Sequence, residues 1–267
     1  QASGIFNSAS GDEKITGVQA AGIMNTSSVY ITGAQVSGYI NVAKDGFYGA
    51  QCSSLLNIAT GESKGVQVSG IINVADEISG IQVGLINVAK KNSGLSIGLL
   101  NFIVGGIMSP AVYVNSNGAL YVQYQGGTQR FFTTFLAGTD MGEYPDFVEL
   151  GFGIGTRFII MPKLSCDVEI LTKTVFALNG DHNGSVEVGS FHMSYEDSDA
   201  TNIPSLRTTV QYSFYRHLSV FAAVEAEIMT DGVNESAFEN YGRHNMPIEV
   251  SEDEMTIYPT FSLGLKF

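Results

Sequence analysis

Residues 80–102 read GIQVGLINVAKKNSGLSIGLLNF, and the stretch nearly repeats itself. The phrase from Gly80 to Asn87 is answered fourteen residues later by Gly94 to Asn101. Working back from this stretch, Asn recurs at positions 7, 25, 41, 57, 73, 87 and 101, with spacings of 18, 16, 16, 16, 14 and 14. Gln recurs at 19, 35, 51, 67 and 82. Self-similarity sustained over this many units points to a repeat architecture. Each unit is rich in Val and Ile, lacks a helical period, and carries polar inserts such as KDG (44–46), TGES (60–63), DEI (76–78) and KKNS (90–93).

Two architectures fit. In a β-solenoid each unit makes one coil, its residues advancing roughly 3.3 Å apiece along two flattened sides. In a meander each unit is a short hairpin. The solenoid is favoured, because a Gln outside any turn and an Asn both hold their phase. Glycines then take the tight corners. Asn25, Asn41, Asn57, Asn73, Asn87 and Asn101 form a stacked structural ladder, satisfying one another and the exposed turn backbone, and the Gln positions likewise read as structural ladder rather than ligand binding. These units do not cross a membrane as strand pairs, since one spanning strand alone needs about 9–11 residues.

The repetition stops near Phe102, and the composition changes with it. Residues 1–102 hold five Lys and six acids, whereas the rest hold eight basic residues and twenty acids. The reading is therefore two domains, a β-repeat domain over 1–104 and a second domain over 105–267. The net charge of −13 argues against a nucleic-acid partner. Only 15% of residues are charged, against about 25% in ordinary soluble domains. Mean hydropathy is +0.14, yet no apolar run is long enough for a transmembrane helix. No signal-like segment opens the chain, so Gln1 reads as a mature terminus after signal removal or as an arbitrary boundary. Cys52 and Cys166 have no metal-ligand spacing and read as free, buried thiols, with one disulfide the alternative.

From Leu120 the pattern becomes longer strands of period two. Val148, Leu150, Phe152, Ile154, Phe158 and Ile160 alternate with Glu149, Gly151, Gly153, Gly155 and Arg157. In the last strand Ile257, Pro259, Phe261, Leu263, Leu265 and Phe267 share one face. A soluble sandwich and an outer-membrane barrel both show such alternation. Three features favour the barrel. Minimal turns at 161–163 and 215–217 alternate with long connections at 137–146, 178–204 and 230–254. Those long connections carry fifteen acids against a single Arg243. Finally, the segment TIYPTFSLGLKF (256–267) ends on an aromatic residue of the apolar face.

On these residues the second domain resembles bacterial outer-membrane β-barrels. The resemblance implies that Phe267 is an assembly signal and that the location is the bacterial outer membrane. The first domain resembles a bacterial surface-repeat family with units of the GLQVGLIN type, which implies architecture more than activity.

The expected fold is all-β: a glycine-rich repeat array followed by a small antiparallel barrel of about eight strands. Those strands are 110–115, 119–125, 129–137, 147–160, 164–176, 205–214, 217–229 and the C-terminal strand. Segment 186–194 is an excursion within an outer loop. Strand parity with Phe267 at the periplasm brings the repeat array in from the periplasmic side. An eight-stranded barrel is filled by its own side chains. Glu149, Asp167, Glu169, Glu225 and Glu227 face inward with Arg157, Lys173, Arg207 and Lys266, and should pair into a closing network.

The sequence offers little catalytic chemistry. His192, Ser194 and Glu196 align on one strand face and are loosely similar to the His-x-Ser element of outer-membrane lipid A deacylases. Tyr195-Glu196 departs from that pattern, and chance alternation is the favoured reading. The runs EDSD (196–199) and SEDE (251–254) lack the register of a calcium loop and read as solvated acidic faces. GFGIG (151–155) lacks the Lys-Ser/Thr of a phosphate loop. No cofactor, catalytic residue or dedicated metal site is expected, only diffuse Ca²⁺ or Mg²⁺ at the acidic loops. The expected function is non-enzymatic: a barrel anchoring the repeat domain, with outer-membrane lipid and another envelope protein as partners. The rivals are a pore gated by the repeat domain and a lipid-directed hydrolase.

Overall fold

The computed structural model describes residues 1–142, 147–177, 200–215, 218–230, 248–250 and 255–267. The chain divides into two compact units. One comprises Gln1–Ser109 with Gln125–Thr133, the other Pro110–Tyr124 with Thr134–Phe267. Residues 125–133 therefore group with the repeats, whereas the sequence boundary near 104 leaves them in the second domain.

The repeat unit is a parallel β-solenoid. Its Gln-bearing side stacks Ile15–Ala21, Ile31–Ser37 and Phe47–Ser53, then the later parts of Leu56–Ser69 and Ile72–Val83, then Leu95–Ile97. Its Asn-bearing side stacks Phe6–Ala9, Met24–Ser27 and Ile40–Ala43, then the early parts of Leu56–Ser69 and Ile72–Val83, then Ile86–Asn92 and Leu100–Ile103. Pairing joins equivalent residues of successive units: Gln35 lies beside Gln19 and Gln51, and Asn41 beside Asn25 and Asn57. This register excludes the hairpin meander, whose neighbouring strands would run antiparallel.

One glycine column makes that stacking feasible. Gly17, Gly33, Gly49, Gly65 and Gly80 have φ between +129° and +158°. A Cβ added to Gly49 would stand 1.9 Å from the carbonyl oxygen of Gly33. These glycines sit within strands, so the expectation that glycines serve mainly at corners is too narrow. Between the two sides, Ala43, Ala59, Ala75 and Ala89 form an apolar column with Ile31, Phe47, Ile78 and Ile103.

The second unit is built on a closed antiparallel barrel of eight strands. They are Ile107–Asn115, Ala119–Gly127, Phe131–Asp140, Phe147–Met161, Leu164–Ala177, Ala200–Tyr215, Leu218–Thr230 and Met255–Lys266. Neighbours pair in sequence order, and Ala111 opposite Lys266 closes the ring between first and last. A short extra strand, Ile248–Val250, pairs with the start of the eighth. Several strands outrun their expected bounds, most of all the third, which extends to Asp140, and the sixth, which begins at Ala200, so that both take residues from an expected loop.

The inward face is less uniformly polar than its alternation suggests. Leu136, Leu171, Val175, Ile203 and Phe221 are buried there with Tyr113 and Tyr121. The two tyrosine rings stack 4.7 Å apart, and Phe221 meets Tyr113 edge-on at 5.8 Å. Inward glycines make room for these bulky groups. A Cβ on Gly138 would lie 2.2 Å from the Tyr121 ring, and one on Gly153 would lie 2.2 Å from Leu171 Cδ2. Large and small residues alternate to fill the tube.

Candidate functional site

Two amide ladders occupy the solenoid interior. Asn25 Nδ2 donates to Asn41 Oδ1 at 2.9 Å, Asn41 to Asn57 at 2.9 Å, and Asn57 to Asn73 at 3.0 Å. Asn73 donates to Asn87 at 2.9 Å and Asn87 to Asn101 at 2.8 Å. Asn7 belongs to the same column, donating to Asn25 at 3.0 Å. The glutamines run the opposite way. Gln35 Nε2 donates back to Gln19 Oε1 at 2.8 Å, Gln51 to Gln35 at 2.7 Å, Gln67 to Gln51 at 2.8 Å, and Gln82 to Gln67 at 2.9 Å.

Backbone carbonyls fix the orientation of these amides. Asn25, Asn41 and Asn57 also donate to the carbonyls of Val36, Cys52 and Val68 at 2.7–2.8 Å. Gln35, Gln51 and Gln67 donate to Val42, Ile58 and Val74 at 3.2–3.3 Å. Only an amino group satisfies a carbonyl, so a flipped amide would set two acceptors against each other. The carbonyls served are therefore partly buried ones, and the ladders themselves are closed to solvent.

Each ladder ends on different chemistry. Asn101 Nδ2 donates to Thr133 Oγ1 at 2.6 Å and to the Gly126 carbonyl at 3.2 Å. Gln82 Oε1 accepts from Ser96 Oγ at 3.3 Å and from Asn92 Nδ2 at 3.4 Å. Sequence reasoning read both the Gln and the Asn positions as structural ladder, without foreseeing that the two run in opposite directions. It gave no role to Asn92, Ser96 or Thr133, which lie outside the repeating phrase or replace its Gln.

The nine ionic residues expected inside the barrel form three groups. Lys173 Nζ meets Glu225 at 3.0 Å, Glu149 at 3.5 Å, and also Glu227. Tyr121 donates its hydroxyl to Glu149 at 3.0 Å. Arg207 donates through Nε to Glu169 at 2.9 Å, through Nη1 to Tyr113 at 3.1 Å, and through Nη2 to Gln123 at 2.8 Å. Thr134 donates to the other Glu169 oxygen. Arg157 grips Asp167 through two bonds of 2.7 Å, and Lys266 reaches the same carboxylate at 3.1 Å. Eight of the nine are buried, with Arg157 part-buried. Cross-strand pairing sets Arg157 opposite Asp167 and Arg207 opposite Glu169, whereas Glu225, also opposite Arg207, is bonded by Lys173.

The outer surface of the barrel is apolar. Leu150, Ile154, Ile170, Val210, Val224 and Leu263 are each exposed, as a lipid-facing wall requires. Phe267 is also exposed, and its backbone N–H donates to the Pro110 carbonyl at 2.8 Å. Cys52 and Cys166 are free as expected, but only part-buried.

His182, His192, Ser194, Glu196, His217, Arg243, His244, the two acidic runs and the 186–194 excursion lie outside the described residues. Among the described residues no His, Cys, Asp and Glu cluster has the makings of a metal site.

No family model matches the chain, and no curated protein matches it either. Solved structures share the barrel fold at low identity. The N-terminal β-barrel domain of Pseudomonas aeruginosa OprF is 8% identical, with 60% of this chain and 95% of that one covered and a TM-score of 0.36. Ail of Yersinia pestis is 8% identical over 60% of this chain and 97% of its own, with a TM-score of 0.30. Neisserial surface protein A is 10% identical over 60% and 91%, with a TM-score of 0.30.

Proposed function

We propose that this chain is a non-enzymatic outer-membrane protein whose barrel anchors the solenoid as a structural or protein-binding part of an envelope complex. The observation that carries this reading is the filled barrel interior. Lys173, Arg207 and Asp167 each engage several buried partners, and the tyrosine stack occupies much of what remains. A pore needs a continuous aqueous path, and buried, mutually bonded ions hold their positions strongly. The apolar outer wall supplies the reason for membrane insertion.

The test is reconstitution of the full chain into planar bilayers, with copurification from native membranes in mild detergent. A silent bilayer and a reproducible envelope partner are expected. Stable conductance steps would overturn the anchor in favour of a channel. Fatty-acid release that depends on Ser194 would overturn it in favour of a hydrolase.

A further inference from the structure

The solenoid encloses its amides together with the alanine column and leaves other apolar residues at its surface. Its amides face inward, and the residues flanking each ladder position face outward. At the bend before each Asn-bearing strand, an apolar side chain projects from the same place in each coil. These are Ile5, Ile23, Tyr39, Leu55, Ile71 and Leu85, each between 38% and 66% exposed. The six form a single ridge, about 24 Å long at roughly 4.8 Å per coil.

Charge is segregated to the opposite edge. All eleven charged residues of 1–102 fall at 12–14, 44–45, 62–64, 76–77 and 90–91, in the connections leading from the Asn side to the Gln side. They pair along the stack, with Lys90 2.8 Å from Asp76 and Lys91 3.2 Å from Glu77. The hydrogen bond from Lys90 holds the Asp76 carboxyl below its ordinary range. One edge is thus zwitterionic and the other aliphatic, at a net charge of −1.

We infer that the apolar ridge is a membrane-contact surface, seated among lipid acyl chains with the charged edge toward water. Three features select lipid over a protein partner. A protein interface carries about one hydrogen bond per 100–200 Å². The ridge side chains offer one polar group, the hydroxyl of Tyr39, a residue type suited to a membrane–water boundary. The ridge backbone is already bonded from coil to coil, as Tyr39 N to Ile23 O and Leu55 N to Tyr39 O, both 3.2 Å. Lipid requires this, because it supplies no hydrogen-bond partners. Beside the first coils an open, shallow groove of about 610 Å³ runs over Ser3, Gly4, Ala20, Val36, Ser37 and Gly38. The near-neutral charge makes the contact hydrophobic, so it should be insensitive to salt.

The inference rests on the anchor reading for bringing the solenoid to a bilayer, and its test separates the two. In the full chain with Cys52 and Cys166 replaced by Ala, single cysteines at Ile23, Leu55, Leu85, Lys90 and Val224 are labelled with an environment-sensitive fluorophore. The labelled proteins are reconstituted into phospholipid vesicles with or without acyl-chain-brominated lipid, and iodide serves as the aqueous quencher. Heat-modifiable gel migration certifies each variant as folded. Bromine quenching at 23, 55 and 85, equal at low and high salt, with iodide quenching at 90, is the expected result. Iodide quenching at the ridge equal to that at 90 overturns the inference. Ridge labels shielded from both quenchers overturn it too, in favour of a protein or second-copy interface. Bromine quenching at Val224 alone leaves the anchor standing and removes only the ridge. Its absence at Val224 removes the anchor.

Discussion

Replacing Asn73 with Leu removes a rung from the middle of the asparagine ladder while nearly conserving volume. Two buried bonds and one part-buried bond go with it: the donation from Asn57 at 3.0 Å, that to Asn87 at 2.9 Å, and that to the Val83 carbonyl at 2.7 Å. Each deprived group costs roughly 1–3 kcal/mol when buried, and burying the leucine methyls returns about 1.5–3 kcal/mol. The net destabilisation should be about 2–4 kcal/mol, because the neighbouring amides are held by stacked backbone and have little room to turn. Hydrogen exchange of the full chain in detergent reads this locally. At about 1.4 kcal/mol per tenfold, protection of the amides around Val68 and Val83 should fall roughly 30- to 1,000-fold. Asn7→Leu is the control, because Asn7 donates only to Asn25 and the Ala20 carbonyl at the end of the column. Its effect should be less than half as large. Negligible and equal effects at both positions would refute the claim that the ladder stabilises the stack.

Gly49→Ala places a Cβ 1.9 Å from the Gly33 carbonyl at a φ of +134°, whereas Gly4→Ala meets nothing within 4 Å. Exchange protection should collapse around residue 49 in the first variant and persist in the second. Lys173→Met leaves Glu149, Glu225 and Glu227 without their shared cation, at a cost of about 3–5 kcal/mol. It should lower the temperature at which the barrel unfolds on gels, with partial recovery when Glu225 and Glu227 also become Gln. Arg at Ile154 or Val224 should cost about 2–4 kcal/mol if these outward positions lie near the bilayer midplane; free tolerance of both would mark the outer wall as water-facing. Millimolar Ca²⁺ or Mg²⁺ should slow proteolysis at 178–204 and 230–254, and less so as added salt shortens the screening length from about 30 Å at 0.01 M to about 10 Å at 0.1 M. Protection that survives high salt would indicate a dedicated metal site.

The solenoid was legible because in-register parallel stacking sets equivalent residues beside each other, so Asn41 and Asn57 must match for each to bond the next. The barrel was legible for a different reason: lipid outside and packed charge inside impose a period of two. What escaped was what periodicity does not encode. Leu171, Ile203 and Phe221 occupy inward positions where alternation suggests polarity, yet a narrow tube needs bulk there as well as charge. The terminators Asn92, Ser96 and Thr133 are unique residues that break the pattern or lie beyond it. The apolar ridge of the solenoid was equally hidden, since Val and Ile report a strand without saying which face they take.

The opposed directions of the two amide ladders bear on how long such an array can grow. A row of aligned amides is a row of dipoles, and in a helix that alignment leaves partial charges of about half an electron at the two ends. From Asn25 to Asn87 each Asn dipole pointing along the axis is accompanied by a Gln dipole, Gln19 to Gln82, pointing back, while the coil of Asn101 carries Ser96 instead. The two largely cancel coil by coil, so added coils build up little field at either end. Whole coils can therefore be gained or lost with little electrostatic consequence, provided that the unit removed carries both of its amides.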